Sequence, residues 1–212
     1  GKTGAFALPF LSQLGKKHGK TRVLILEPTR ELASQVETAI RDYARFTNLT
    51  VAVIYGGVGY GKQVDALKSG VDIIVATPGR LLDHMQQGVA KLGNIEHVVL
   101  DEADRMLDMG FLPDVKRILS RLPQNRQTFF FSATMSPSIV DLAKRMLTQP
   151  VNVQIQSNSV SVDKIEQKVL FLQRDEKHES LRSIVTADGA GLVLVFTRTK
   201  RGADVVARKL DQ

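Results

Sequence analysis

The chain contains no cysteine. Disulfides and thiolate-ligated zinc are thereby excluded, stability has to come from packing, and a cytoplasmic protein is expected. Long apolar runs are missing as well. Crossing a bilayer takes roughly 18 to 20 apolar residues, and the longest runs here, at 5–11 and 191–196, are short and contain Pro or Gly. No membrane association is expected. A charged-then-apolar signal segment is also missing, and the first residue is Gly rather than Met, which reads as a start inside a longer chain. The four histidines, His18, His84, His97 and His178, show no metal-ligand spacing and read as surface or strand-edge residues. Neither a short-period repeat nor a low-complexity block occurs.

What is present is a soluble globular composition: 43% hydrophobic and 24% charged, which excludes a disordered or collagen-like chain. At about 150 residues per domain, 212 residues are too many for one ordinary domain and few for two. Twenty-nine Lys plus Arg against 22 Asp plus Glu leave a net charge of +7. That surplus permits a polyanion partner, although by itself it describes a generally basic surface.

Along the chain, short apolar runs alternate with stretches of helical spacing. Strands are predicted at 22–26, 51–55, 71–76, 97–100, 128–131 and 151–155. Helices are predicted at 5–14, from Pro28 to Tyr43, and at 64–68, 79–87, 114–122 and 136–147. Near-continuous apolar strands need both sheet faces covered, so the pattern predicts an α/β fold with a parallel sheet between helix layers. The polar, serine-rich stretch at 154–162 reads as a linker. Beyond it the alternation restarts, with strands predicted at 168–172 and 192–196 and helices at 176–185 and from about Gly202, running into the last residue, Gln212. Two strands and two helices enclose no core, so 163–212 reads as the beginning of a second α/β domain after a first one at 1–153.

Several groups could carry chemistry. Gly1-Lys2-Thr3 matches the last three positions of the phosphate-loop pattern G-x-x-x-x-G-K-[ST]; in such a loop backbone N–H groups wrap phosphates, the lysine meets the terminal phosphates and the hydroxyl binds Mg²⁺. Alone, the tripeptide carries little weight; the helical spacing at 5–14 strengthens it. Asp101-Glu102-Ala103-Asp104 follows the strand at 97–100, at the edge where parallel sheets bind ligands. Asp101 suits Mg²⁺ through water, and Glu102 suits proton acceptance from an attacking water. The same acids also suit the first turn of a helix. Ser132-Ala133-Thr134 follows another strand, where hydroxyls cap helices as readily as they act. Thr29-Arg30, Gly56-Gly57 and Thr77-Pro78-Gly79-Arg80 offer hydroxyls, guanidinium groups and bare N–H groups after strands. Those groups grip a phosphodiester backbone without reading bases; as turns and caps they need no ligand. The basic stretches at 16–22 and 198–201 read as solvated faces, the second also able to touch nucleic acid.

In this order the pieces resemble the DEAD-box family of ATP-dependent RNA helicases: GKT at 1–3, PTRELA at 28–33, GG at 56–57, TPGR at 77–80, DEAD at 101–104, SAT at 132–134 and VFTRTK at 195–200. DEADRMLDMGF at 101–111 is most similar to bacterial members. The resemblance implies a RecA-like sheet of the P-loop NTPase type with the beginning of a second RecA-like domain, the two closing around ATP and one RNA strand. Carried over, Gly1, Lys2 and Thr3 bind phosphates, Thr3 and Asp101 hold Mg²⁺, and Glu102 activates water. Asp104, Ser132 and Thr134 couple nucleotide state to RNA. Thr29, Arg30, Gly57, Thr77, Gly79, Arg80 and Thr199 lie along the RNA backbone. The implied mechanism is closure that bends a bound strand so that a short RNA duplex comes apart, with ATP hydrolysis and phosphate release reopening the enzyme, and with little sequence preference. A DNA helicase or translocase of the same superfamily, and an RNA clamp that binds ATP without turnover, are the alternatives; Glu102 speaks against the clamp. The start of the phosphate loop, the adenine-recognition segment and the later second-domain arginines are not in the sequence. An arginine finger contributes about 10³ to 10⁵ in rate, so negligible ATPase activity is expected of the 212 residues alone. Protein partners are expected to act through flanks outside it.

Overall fold

The computed structural model describes residues 1–154, 166, 168–187, 189 and 191–211. It divides into two units, Gly1–Asn152 and Val153–Gln212. In the first, five parallel strands form one sheet in the order β2-β3-β1-β4-β5. They are β1 (Val23–Leu26), β2 (Val51–Ile54), β3 (Ile73–Ala76), β4 (His97–Leu100) and β5 (Gln127–Phe130). β1, β3 and β4 are buried at every position, which is why they read as unbroken apolar runs.

Alternate residues of these strands feed two cores. Val23, Ile25, Ile73, Val75 and Val99 meet Phe6, Phe10, Leu14, Ala33, Val36 and Ile40, which come from α1 (Lys2–Leu14) and α2 (Arg30–Tyr43). Leu24, Leu26, Ile74, Ala76, Val98 and Leu100 face the opposite side. That side is covered by α3 (Gly61–Ser69), α4 (Pro78–Gln86), α5 (Ala103–Asp108), α6 (Leu112–Leu119) and α7 (Pro137–Met146). Full burial of a side chain such as Phe6 or Phe10 contributes about 1.5 to 3 kcal/mol.

This arrangement fixes where a ligand can sit. β1 and β4 are neighbours, yet the helix after β1 lies on one face of the sheet and the helices after β4 on the other. Loops diverging in this way leave a crevice outside the carboxyl ends of the two strands. Thr29 helps to open it: its side chain caps α2 by accepting a hydrogen bond from the Leu32 N–H at 3.3 Å.

At the opposite, amino edge, Asp72 ties three loops together. Its carboxylate accepts from the His18 N–H (3.0 Å), the Arg22 guanidinium (3.0 Å), and both the N–H and the hydroxyl of Thr50 (3.0 and 2.9 Å). Burial opposes the Asp72 charge, but these donors outweigh it and hold its pKa below the usual carboxylate value. Arg22 is buried with it, so only part of the stretch at 16–22 is the solvated face expected from sequence. A hydrogen bond to a buried charge is worth about 1.5 to 3 kcal/mol, so Thr50→Val is expected to lower the unfolding free energy by about that much in a urea melt.

Further corrections concern burial and the second unit. His84 and His97 are buried rather than at the surface. Residues 151–154 form no strand, and Ile155 lies outside the described residues. The predicted strands at 168–172 and 192–196 carry no ladder, because no described neighbour offers the paired N–H and C=O groups that a strand requires. Their side chains, among them Val169, Phe171, Leu194 and Phe196, are exposed. The second unit contains α8 (Lys177–Val185) and α9 (Lys200–Leu210), which touch each other. α9 ends at Leu210, with Asp211 capping it, rather than running on to Gln212, which lies outside the described residues. Most of the predicted linker, from 155 to 162, and the expected domain start at 163 also lie outside them.

Candidate nucleotide cleft and nucleic-acid edge

Gly1 stands at the N-cap of α1, which brings Lys2 to the β1/β4 crevice. The Lys2 Nζ lies 3.4 Å from Asp101 Oδ1 and 3.3 Å from Glu102 Oε1. Burial works against the Lys2 ammonium, but the two carboxylates outweigh it and raise its pKa above the ordinary lysine value. Asp101 is buried and accepts a hydrogen bond from the Glu102 N–H at 2.8 Å. Glu102 holds a left-handed backbone conformation (φ 49°, ψ 49°) where α5 begins. For a non-glycine residue that conformation carries strain, and such strain concentrates at functional sites.

A cleft of about 250 Å³ opens here, lined by Gly1, Lys2, Thr3, Glu27, Asp101 and Glu102 among others. A second, of about 290 Å³, lies across Lys2 and Glu102 and is walled by Asp104, Arg105, Asp108 and Ala133. Among the described residues no group of three or more His, Cys, Asp or Glu could hold a metal ion. Magnesium keeps several waters and takes one or two carboxylates together with substrate phosphates rather than a protein cage. Asp101, with the Thr3 hydroxyl in the same cleft, fits that need.

Glu27 was not singled out from the sequence. It follows β1 and is 1% exposed, and its Oε1 has no hydrogen-bond partner. Burial, then the charges of Asp101 and Glu102, push its pKa up to about 8, with Lys2 opposing. An acid terminating an unbroken apolar run was the signal available for it.

Beside the second cleft, Asp104, Ser132 and Thr134 form a closed set of hydrogen bonds. The Thr134 N–H and hydroxyl donate to Asp104 Oδ2 (2.9 and 3.0 Å), the Asp104 N–H donates to the Ser132 hydroxyl (3.3 Å), and that hydroxyl donates to the Thr134 carbonyl (2.7 Å). Burial raises the Asp104 pKa, but these donors and the Arg105 N–H bring it below the usual carboxylate value. The segment after β5 is thereby tied to the segment after β4.

Further along the carboxyl edge lie the residues of the first unit that were expected on RNA. A side chain at Gly57 (φ 80°) would come within 3.5 Å of the Arg30 guanidinium, so these two are neighbours. Arg80 donates twice to the Val58 carbonyl (3.0 Å each) and stacks 4.1 Å over the Tyr60 ring, another residue not singled out from sequence. Thr77 caps α4 by position, with no side-chain cap bond, and Gly79 leaves open space at the first turn of that helix. Thr199, in the second unit, caps α9 by accepting from the Gly202 N–H at 3.0 Å.

Sheet order and the crevice it opens together define an α/β domain of the RecA-like kind. The sequence model of the DEAD/DEAH box helicase family matches residues 1–142, and the chain belongs to that family. It is 39% identical over 211 residues to the DEAD-box ATP-dependent RNA helicase CshA of Bacillus subtilis, covering 100% of this chain and 43% of that protein. To the ATP-dependent RNA helicase DeaD of Haemophilus influenzae it is 38% identical over 213 residues, covering 100% of this chain and 35% of the other. The crystal structure of a DEAD box protein from the hyperthermophile Methanococcus jannaschii matches with a TM-score of 0.71 at 37% identity, over 100% of this chain and 56% of that one. The chain thus spans about two fifths of the length of these two curated relatives. Among the described residues no helix is long and apolar enough to cross a membrane.

Proposed function

We propose that this chain supplies the ATP-binding and RNA-gripping face of a cytoplasmic ATP-dependent RNA helicase, with 1–153 as the first RecA-like domain, 154–162 as a linker and 163–212 as the beginning of the second. The observation that carries the reading is the Lys2 ammonium poised between Asp101 and Glu102 at the β1/β4 switch point. The Asp104–Ser132–Thr134 bonds beside it give nucleotide state a physical route toward the nucleic-acid edge.

In this reading Gly1, Lys2 and Thr3 hold the phosphates of ATP, and Lys2 exchanges its carboxylate partners for phosphate oxygens. Thr3 and Asp101 hold Mg²⁺, which when bound neutralises phosphate charge and orients the terminal phosphate. Glu102 accepts a proton from the attacking water. Thr29, Arg30, Gly57, Thr77, Gly79 and Arg80, with Thr199 from the second unit, contact the RNA backbone. Because such contacts read shape and charge, binding is indifferent to sequence and strongly weakened by salt.

The test is ATP turnover by the helicase that carries this chain with a complete second domain, compared with RNA and DNA of one sequence. Stimulation by RNA and little by DNA is expected. Equal stimulation by both would instead support a DNA-directed motor, and RNA binding without turnover a clamp.

A further inference from the structure

The amino edge of the sheet, opposite the nucleotide crevice, is built from the loops that lead into each strand. Across it run, in order, the loops before β2, β3, β1, β4 and β5. They expose Lys16, Lys17, Lys20, Arg45, Lys91 and Arg121, against Glu96 as the one exposed acid of these loops. None of the six cations belongs to an ion pair among the described residues.

Helix C-termini attract cations, and Arg41 and Lys68 stand in such last turns. That effect does not account for Lys16, Lys17 and Lys20, which follow the end of α1 at Gly15.

Three of these loops are locked together. Asp72 binds His18 of the lysine loop and Thr50 of the loop before β2, as well as Arg22. Gly70, before β3, approaches Gly19 so closely that a Cβ there would meet the Gly19 carbonyl oxygen at 2.3 Å. The three lysines therefore project from a fixed base rather than from a loose tail. On the same base Phe46 is 88% exposed, with the Arg45 guanidinium 4.7 Å from its ring centre. Three strand positions at about 4.8 Å spacing separate the loops by roughly 10 Å. Exposed cations beside an open aromatic face match the chemistry of single-stranded nucleic acid, whose phosphates need charge and whose unpaired bases stack. A duplex keeps its bases stacked internally and offers Phe46 nothing.

We propose that this platform is a second RNA-binding surface, which takes a single-stranded extension of the RNA held at the carboxyl edge: Lys16, Lys17 and Lys20 on phosphates and Phe46 under a base. The proposal rests on the RNA reading above for its ligand, but involves none of the same residues.

The experiment is fluorescence anisotropy on the 212-residue chain, with labelled RNAs of about 6 and about 20 nucleotides, bracketing a single-domain site. The variants are K16Q/K17Q/K20Q and F46A, all at exposed positions. Affinity for the longer RNA is expected to fall about tenfold or more in the triple variant, with its salt slope reduced by about 2. F46A is expected to weaken the longer RNA about fivefold or more. Binding of the shorter RNA stays unchanged in both. Equal losses for both lengths, no loss for either, or a wild type indifferent to length would each overturn the proposal. If the longer RNA shows these losses while R30A/R80A changes neither length, the platform stands as an RNA site by itself, and the carboxyl-edge reading and the extension drawn from it fail.

Discussion

Under the proposed function, Glu102→Gln is expected to slow ATP turnover by about 10² to 10⁴-fold in the full-length protein that contains this chain, the range over which a positioned general base acts. Glutamine has the shape of glutamate and accepts hydrogen bonds, but it cannot take a proton from water. The left-handed backbone at position 102, held by the 2.8 Å bond from its N–H to Asp101, does not depend on the side-chain charge. Nor does folding depend on it much: the Lys2 and Glu102 side chains are 53% and 31% exposed, and such a pair contributes about 1 kcal/mol or less. Turnover should therefore collapse while the melting temperature and ATP affinity hardly move. Single-turnover hydrolysis with a parallel fluorescent-nucleotide titration separates the two. Unchanged turnover would remove Glu102 from the proposed role.

At Glu27, replacement by Gln should stabilise the fold, and more so as pH rises. In the unfolded chain this carboxyl titrates near 4.5; in the fold, burial and the charges of Asp101 and Glu102 push it up to about 8. A group whose folded pKa is raised contributes fully below its unfolded value and loses that contribution as pH climbs through its folded value. Stability of the wild type is thus expected to fall between about pH 4.5 and 8 on account of Glu27 alone, by on the order of 4 kcal/mol at most. Glutamine removes the ionisation and leaves an uncharged group of similar size. Urea melts of wild type and E27Q at a series of pH values, in EDTA and without nucleotide, should diverge progressively over that window. Parallel curves would show that Glu27 ionises freely in the fold.

Both predictions concern the same few ångströms of crevice, yet only one of the residues was conspicuous beforehand. Glu102 belongs to a tetrapeptide after a strand, with Lys2 and Thr3 elsewhere in a recognisable order. Glu27 is a lone acid whose effect depends on its burial and on Asp101 and Glu102, more than seventy positions away in the chain, being carried next to it by the β1–β4 pairing. Arg22 and Asp72 illustrate the same limit: each looks like an ordinary surface charge in sequence, and only the alignment of β1 with β3 makes them a buried pair. His84 is buried on the inner side of α4, and His97 opens a fully buried strand.

Failure of the strands predicted at 168–172 and 192–196 has a related cause. Their apolar alternation is a statement about what such segments prefer once partnered; a ladder exists only where a second backbone supplies its hydrogen bonds. The same kind of pattern succeeded at 97–100 because β1 and β5 flank it.

By itself, then, the sequence determined what is periodic or contiguous: the alternation of buried strands and amphipathic helices in the first unit, and the strings of residues that follow strands. These are local, since side-chain burial at a spacing of two or of three to four is written in neighbouring residues. Tertiary structure decided everything that depends on distance across the sheet. It set the strand order that opens the crevice, the approach of Lys2 to Asp101 and Glu102, the buried carboxyl of Glu27, and the Asp72 knot that gathers loose lysines into one fixed surface. Each of those is an electrostatic or hydrogen-bonding relation between remote residues, and such relations take effect only at a few ångströms.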